Sequence, residues 1–123
     1  MGHMLELSWE HIDDQERYAV YDMDFHLAIA KGSQNSIIHR SVEMLKALYT
    51  VWLRNFVRVH GNEKSNDFHT RVFEAIKKRD AETARRHMMD HLMDVLHKVQ
   101  LDATKRPGAS ARETSDSVQE ENR

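Results

Sequence analysis

Apolar residues recur at alternating steps of four and three along the middle of the chain. The positions are Ile38, Val42, Leu45, Tyr49, Trp52, Phe56 and Val59. This spacing is typical of one face of an α-helix, and it predicts a helix from about Ile37 to Val59. Because Leu48 and Val51 widen the stripe, we interpret it as a central helix contacted by several neighbours. A seam between two copies of the chain is the alternative.

Shorter stripes of the same kind lie on both sides of this segment. They predict a first helix from near Trp9 or Asp13 to about Lys31, a third from Asp67 to Arg79, and a fourth from Ala81 to about Asp102. One proline and four glycines in 123 residues are too few for the many turns of a β-sandwich or barrel. The sequence therefore predicts an all-α, antiparallel helical bundle.

The two ends of the chain differ from this middle. Residues 1–4 resemble a remnant of an expression vector, so we place the folded domain at residues 5–104. Residues 105–123 contain no Leu, Ile, Phe, Tyr, Trp or Met, and their charges cancel. Such a segment cannot bury enough apolar area to offset its ordering entropy, so we expect a disordered tail.

Composition excludes several classes of function. The chain has no cysteine, which excludes disulfides and thiolate metal ligands. Its net charge of −2 gives no positive field that would attract nucleic acid. No apolar run approaches the roughly 20 residues that cross a bilayer, and no signal peptide is visible. We therefore expect a cytoplasmic protein with no membrane partner.

Three of the nine histidines fall on inward faces of the predicted helices. His26 follows Asp22 by one helical turn, beside an apolar stripe, while His69 and His91 lie among apolar residues of the third and fourth helices. A single inward histidine is usually a hydrogen-bonded core residue. Three of them with a carboxylate, on three helices of one bundle, could instead share a divalent cation. Spacing alone leaves both interpretations open.

A rival set lies on one face of the fourth helix, where His87, His91 and Asp94 follow one another at helical spacing. It lacks a second helix to complete a coordination sphere. We interpret it as solvated side chains around the inward His91.

The segment Asp22-x-x-Phe25-His26, followed by Asn35, resembles the D-x-x-F-H…N motif of FCD domains, the all-helical effector-binding domains of GntR-type bacterial transcription regulators. Residues 69–92 are similar to the family pattern H-x-x-I-x-x-A-I…D…A…M-x-x-H-L. The resemblance covers about residues 15–100 and is specific, because ligand-type residues and apolar spacers match in the same register.

The resemblance implies a site and a ligand. In metal-binding members an Asp and three His hold a divalent cation inside the bundle, and a carboxylate metabolite completes its coordination. The matching positions here are Asp22, His26, His69 and His91. Zn²⁺, Ni²⁺, Mn²⁺ and Fe²⁺ all suit such donors. We expect Arg40 and Arg71 as candidate contacts for a small carboxylate effector.

The sequence also departs from the family. Its regulators begin with a winged helix-turn-helix domain, which has no counterpart here, and the first one or two effector-domain helices are not recognisable either. We therefore expect a truncated domain with about four of the family's six or seven helices, which contacts DNA only through an absent N-terminal domain. An apolar groove left by a lost helix would recruit a partner, so we expect a homodimer.

Two other functions compete with a metal-dependent sensor. A hydrolase-like helical metalloenzyme could use three His and an Asp to activate water, but it needs a general base, and no inward Glu or second Asp is placed for that role. Glu74 lies beside the apolar face, and we interpret it as an exposed helix residue. A metal-free helical interaction module is the second. We interpret the chain as a sensor without catalytic residues, and we expect metal affinity to fall as the imidazoles protonate near pH 6.5.

Overall fold

The computed structural model describes residues 1–105, which form five α-helices and no strand. The helices are α1 (Gly2–Glu10), α2 (Gln15–Gly32), α3 (Ser36–His60), α4 (Glu63–Lys77) and α5 (Ala81–Thr104). The predicted all-α helical bundle is confirmed for this part of the chain. The expected disordered tail lies, from residue 106 onward, outside the described residues.

The described residues form two compact units. The first comprises residues 1–91, with α1 to α4 and the beginning of α5, and the second begins at Leu92. All four candidate metal ligands belong to the first unit. Within residues 1–105, none of the helices combines the length and the apolarity that a membrane crossing requires.

The N-terminal region holds two helices where the sequence predicted one. Asp14 separates them and caps α2, its side chain accepting a hydrogen bond from the Arg17 backbone N–H at 3.1 Å. The helix α1 buries only Leu5 and Ser8. Its sequence therefore shows no apolar stripe from which the helix could be predicted. Packing against α2 and α4 stabilises it instead. It begins within residues 1–4, whose origin as an expression remnant stays a prediction.

The long helix α3 matches its predicted bounds, but its predicted central position is wrong. Of its many apolar residues only Leu53, Phe56 and Val57 are buried. It packs on α2, and large side chains along its length remain exposed, including Met44 at 83% and Leu48 at 72%. Within the described residues, therefore, α3 packs mainly on α2, and much of its apolar stripe is exposed.

The core of the first unit joins four helices. Leu5, Phe25 and Val72 form its buried centre, and partly buried residues such as Met88 pack around them. Burying this apolar area is the main favourable contribution to folding. The core fixes the inner faces of α2, α4 and α5, which are the faces that carry the candidate ligands.

Candidate metal centre

The structure brings together the four side chains that the sequence singled out. Asp22 and His26 extend from α2, His69 from α4 and His91 from the beginning of α5. Asp22, His69 and His91 are 2%, 1% and 3% exposed, and the His26 side chain is 16% exposed. We call these four residues the Asp–His cluster.

The ring nitrogens of the cluster converge. Nε2 of His69 lies 3.0 Å from Nε2 of His91, and one nitrogen from each of the three rings lies within 4.8 Å of the others. The Asp22 carboxylate contacts two of them, with Oδ1 3.5 Å from His26 Nε2 and Oδ2 3.8 Å from His69 Nε2. One carboxylate and three imidazoles therefore share a single interior region.

Helix geometry and ring packing produce this convergence. Asp22 and His26 are one turn apart on α2, so their side chains emerge on the same face. The Phe25 ring stacks on His69 at 4.8 Å, and the His69 ring stands perpendicular to His91 at 4.6 Å. These contacts orient the Nε2 atoms of His69 and His91 toward each other rather than toward solvent.

Two atoms of the cluster fit a cation rather than a hydrogen-bonded core. Asp22 Oδ1 and His26 Nε2 are buried and have no hydrogen-bond partner. Leaving a polar group unsatisfied in this way costs about 1–3 kcal/mol, so such groups are rare without a reason. A divalent cation would accept both as ligands. The donor set of one oxygen and three nitrogens suits Zn²⁺, Ni²⁺, Mn²⁺ and Fe²⁺.

Burial also shifts the pKa values of the residues in the cluster. It raises the pKa of Asp22 from 3.8 to about 7, and it lowers the pKa of His26 from 6.5 to about 4. The pKa of His69 lies well below 6.5, because of burial and then because of repulsion from His26 and His91. The imidazoles of His26 and His69 are thus neutral at physiological pH, as metal ligands must be.

Tyr18 is a residue of the site that the sequence analysis did not single out. It is fully buried, and its hydroxyl donates a hydrogen bond to Asp22 Oδ2 at 3.1 Å. The signal was present, because Tyr18, Asp22 and His26 recur at steps of four on one face of α2. A tyrosine on such a face supplies a polar tip as well as an apolar ring.

The other candidate residues lie elsewhere. Arg40 is exposed, and Arg71 forms an exposed ion pair with Asp67 at 2.8 Å. Among the described contacts, neither arginine reaches the Asp–His cluster. Glu74 is exposed, as expected, and lies 3.4 Å from Lys77.

The rival set of His87, His91 and Asp94 does not form a shared site among the described residues. Its member His91 contacts His69 and His26 in the interior, while Asp94 forms an ion pair with Lys98 at 2.9 Å.

A family model described as FCD domain matches residues 3–94. This range contains α1 from its second residue onward, α2 to α4, the beginning of α5 and the whole Asp–His cluster. No curated protein and no solved structure shows a match to the chain.

Proposed function

Because the chain belongs to the FCD domain family, the effector-binding domains of GntR-type transcription regulators, we propose that it senses a small carboxylate through a divalent cation bound by the Asp–His cluster. The family supports the regulatory role. The observation that carries the metal dependence is the cluster itself: nitrogens of three imidazoles converge in the interior, and Asp22 Oδ1, which has no hydrogen bond, lies 3.5 Å from Nε2 of His26.

The sensing role follows from where the ligands originate. They come from three helices, so occupancy of the cluster would tie α2, α4 and α5 together. A cation that accepts five or six ligands would leave one or two positions for a carboxylate. Ligand binding would then shift the populations of helix arrangements. This shift would change the orientation of an attached DNA-binding domain. The proposal places this regulator in the cytoplasm, where it would meet the chromosome.

Sensing fits this site better than catalysis. FCD domains are regulatory ligand-binding domains. Hydrolysis would require a general base beside the cation. Glu74, the acidic residue that the sequence places beside the apolar face, pairs with Lys77 on an exposed face.

Arg40 and Arg71 remain the proposed secondary contacts of the effector. Both are exposed, and Arg71 would have to leave Asp67 to reach an interior carboxylate. An arginine suits this role because its guanidinium can bind both oxygens of a carboxylate at once. Their contribution is separable from metal binding, because substituting them should weaken the effector and leave the cation unaffected.

The proposed macromolecular partner is a second copy of the chain on α3. Ile37, Met44 and Val51 recur every seven residues and are 76%, 83% and 55% exposed, with Leu48 beside them. A sustained seven-residue recurrence is the spacing with which one helix packs along another. Two copies related by a two-fold axis would each present this same stripe, so apolar surface would meet apolar surface.

The experiment is a metal titration of the purified chain beside His69→Ala and His91→Ala. We expect about one equivalent of Ni²⁺ or Zn²⁺ to bind the wild type and affinity to fall at least about 100-fold in both variants, since each loses a ligand. His87→Ala, one turn before His91 on α5, is the matched control and should bind normally. A full equivalent bound tightly by both variants would overturn the metal site at the Asp–His cluster, and no binding by the wild type would leave a metal-free module.

A further inference from the structure

The hydroxyl of Tyr18 connects the Asp–His cluster to two turns of the fold. Tyr18 is fully buried, and its hydroxyl lies 3.1 Å from Asp22 Oδ2 and 3.4 Å from the backbone carbonyl oxygen of Asn62. Both neighbours are hydrogen-bond acceptors, whereas a phenol has a single proton to donate. The shorter distance shows that the carboxylate receives the stronger hydrogen bond.

This hydrogen bond distinguishes the two oxygens of Asp22. Oδ2 accepts from Tyr18, while Oδ1 has no hydrogen bond and lies 3.5 Å from His26 Nε2. The carboxylate is therefore held in one orientation with one free oxygen. Groups that orient a metal ligand in this way set its geometry and its affinity, although they do not touch the metal.

A second link leads from Tyr18 to the turn between α1 and α2. Asn62 is 5% exposed and precedes α4, and its side-chain amide donates a hydrogen bond to the carbonyl oxygen of Ile12. The side chain of Asn62 forms no capping hydrogen bond with α4. Its described role is thus to join the start of α4 to the α1–α2 turn, with Tyr18 beside it.

We propose that Tyr18 is the positioning residue of the cluster: it fixes Asp22 so that Oδ1 alone binds the cation, and through Asn62 it couples occupancy to the α1–α2 turn. The proposal rests on the metal-dependent function above. It concerns a residue that binds no metal itself, and it predicts both a coordination mode and a path of coupling.

Tyr18→Phe tests the positioning, and Tyr21→Phe is the matched control, since Tyr21 lies on the same helix with its ring beside His11, outside the cluster. We expect Co²⁺ and Ni²⁺ affinity to fall about tenfold in Tyr18→Phe and to stay within about twofold in Tyr21→Phe. The visible absorption of bound Co²⁺ should weaken in Tyr18→Phe, because a released carboxylate can bind through both oxygens and raise the coordination number. A purely structural role would leave that spectrum unchanged.

Amide hydrogen exchange tests the coupling. We expect Co²⁺ to slow amide exchange at residues 12–14 in the wild type and in Tyr21→Phe. In Tyr18→Phe and Asn62→Ala, Co²⁺ should leave the exchange rate at these residues unchanged. Asn62→Ala should retain metal affinity within about twofold, because only the link to Ile12 is removed. Protection at residues 12–14 that persists in Asn62→Ala overturns the coupling, and it does so even if Tyr18→Phe fails to fold.

The outcomes separate this proposal from the proposed function. If the wild type binds no cation, the metal-dependent function is wrong. If the wild type binds and folded Tyr18→Phe binds with equal affinity and the same Co²⁺ spectrum, the function stands and the positioning role of Tyr18 is wrong.

Discussion

The carboxylate of Asp22 lies 3.5 Å from Nε2 of His26, one turn further along α2, and burial shifts the pKa values of the two groups in opposite directions. The pKa of Asp22 is raised to about 7 and the pKa of His26 is lowered to about 4. Without a cation, both groups are therefore neutral between about pH 4 and pH 7. This pair carries no charge in that range until the carboxylate ionises or a cation binds.

Metal affinity should consequently depend on the ionisation of Asp22 rather than on that of the histidines. A cation that binds below pH 7 must displace the Asp22 proton, so the apparent affinity should fall about tenfold per pH unit between pH 7 and pH 5. Above pH 7.5 it should level off. Titration of Ni²⁺ at a series of pH values measures this slope.

Asp22→Asn separates the two sources of pH dependence. The variant binds more weakly at every pH, but its affinity should vary little between pH 7 and pH 5, because the pKa values of His26 and His69 are lowered by burial. A slope that is the same in the wild type and the variant would mean that the imidazoles control binding, as their ordinary pKa near 6.5 suggests.

The same substitution should stabilise the metal-free protein at high pH. The folded state keeps a proton on Asp22 up to about pH 7, whereas the unfolded chain loses it near pH 3.8. The contribution of this group to the free energy of unfolding is therefore lost as pH rises from about 4 to about 7. At pH 8, Asp22→Asn removes a buried charge and should raise the free energy of unfolding by about 2 kcal/mol. At pH 5 the increase should be smaller, because folded Asp22 is still protonated there and only part of its contribution has been lost.

Thermal unfolding without metal checks this prediction, and Asp24→Asn is its control. Asp24 lies two residues away on α2 and forms an ion pair with Lys46 at 2.8 Å. Since that pair is partly exposed, its loss should cost less than about 1 kcal/mol at both pH values. Equal effects of Asp22→Asn at pH 5 and pH 8 would show that Asp22 is already ionised in the folded protein at pH 5, so that burial does not raise its pKa to about 7.

The candidate ligands could be found from the sequence because each lies on a helix whose inward face has a regular apolar pattern. His69 follows that rule with Val72, and His91 follows it with Met88. Helical spacing is a local property, so it survives without knowledge of the tertiary structure. What spacing cannot provide is the convergence of the rings, which depends on how α2, α4 and α5 pack. The family motif supplied that information.

The helix α1 and the exposure of α3 were not predicted from the sequence, because both depend on tertiary contacts. The helix α1 buries one apolar residue and Ser8, whose hydroxyl lies 2.8 Å from Asn66 Oδ1, so polar packing replaces a stripe. Conversely, the apolar pattern of α3 exceeds what the described chain covers, with Leu48 72% exposed. An apolar pattern in the sequence shows that one face of a helix is apolar. It does not show which surface covers that face.

Leu48→Glu tests whether a second copy covers α3. Under the two-fold arrangement the substitution places two carboxylates in an apolar interface, so the dissociation constant of the dimer should rise by about two orders of magnitude. Met89→Glu on α5, where the native side chain is 48% exposed, is the control and should leave association unchanged. Sedimentation velocity measures both. A wild-type chain that is monomeric at high micromolar concentration would contradict the proposal.

Arg79 gives a prediction about stability that is independent of the metal. It follows the end of α4 with φ of 56°, and the N–H groups of Arg79 and Asp80 donate to the carbonyls of Ile76 and Ala75 at 2.9 Å. This is the hydrogen-bond pattern of a Schellman motif, in which glycine is the preferred residue at the left-handed position.

Arg79→Gly should therefore raise the free energy of unfolding by about 0.5 kcal/mol, and the melting temperature by roughly 2–4 °C. Relief of the left-handed strain is worth about 1–2 kcal/mol and outweighs the added backbone entropy of glycine, which costs about 0.5–1 kcal/mol. Lys78→Gly is the matched control: with φ of −79° it has no strain to relieve, so the same change should destabilise. Thermal unfolding with and without Ni²⁺ measures both variants. Because each variant keeps the whole Asp–His cluster, the change in stability should be the same with and without the metal. Equal destabilisation by the two glycines would show that Arg79 pays no conformational penalty at the end of α4.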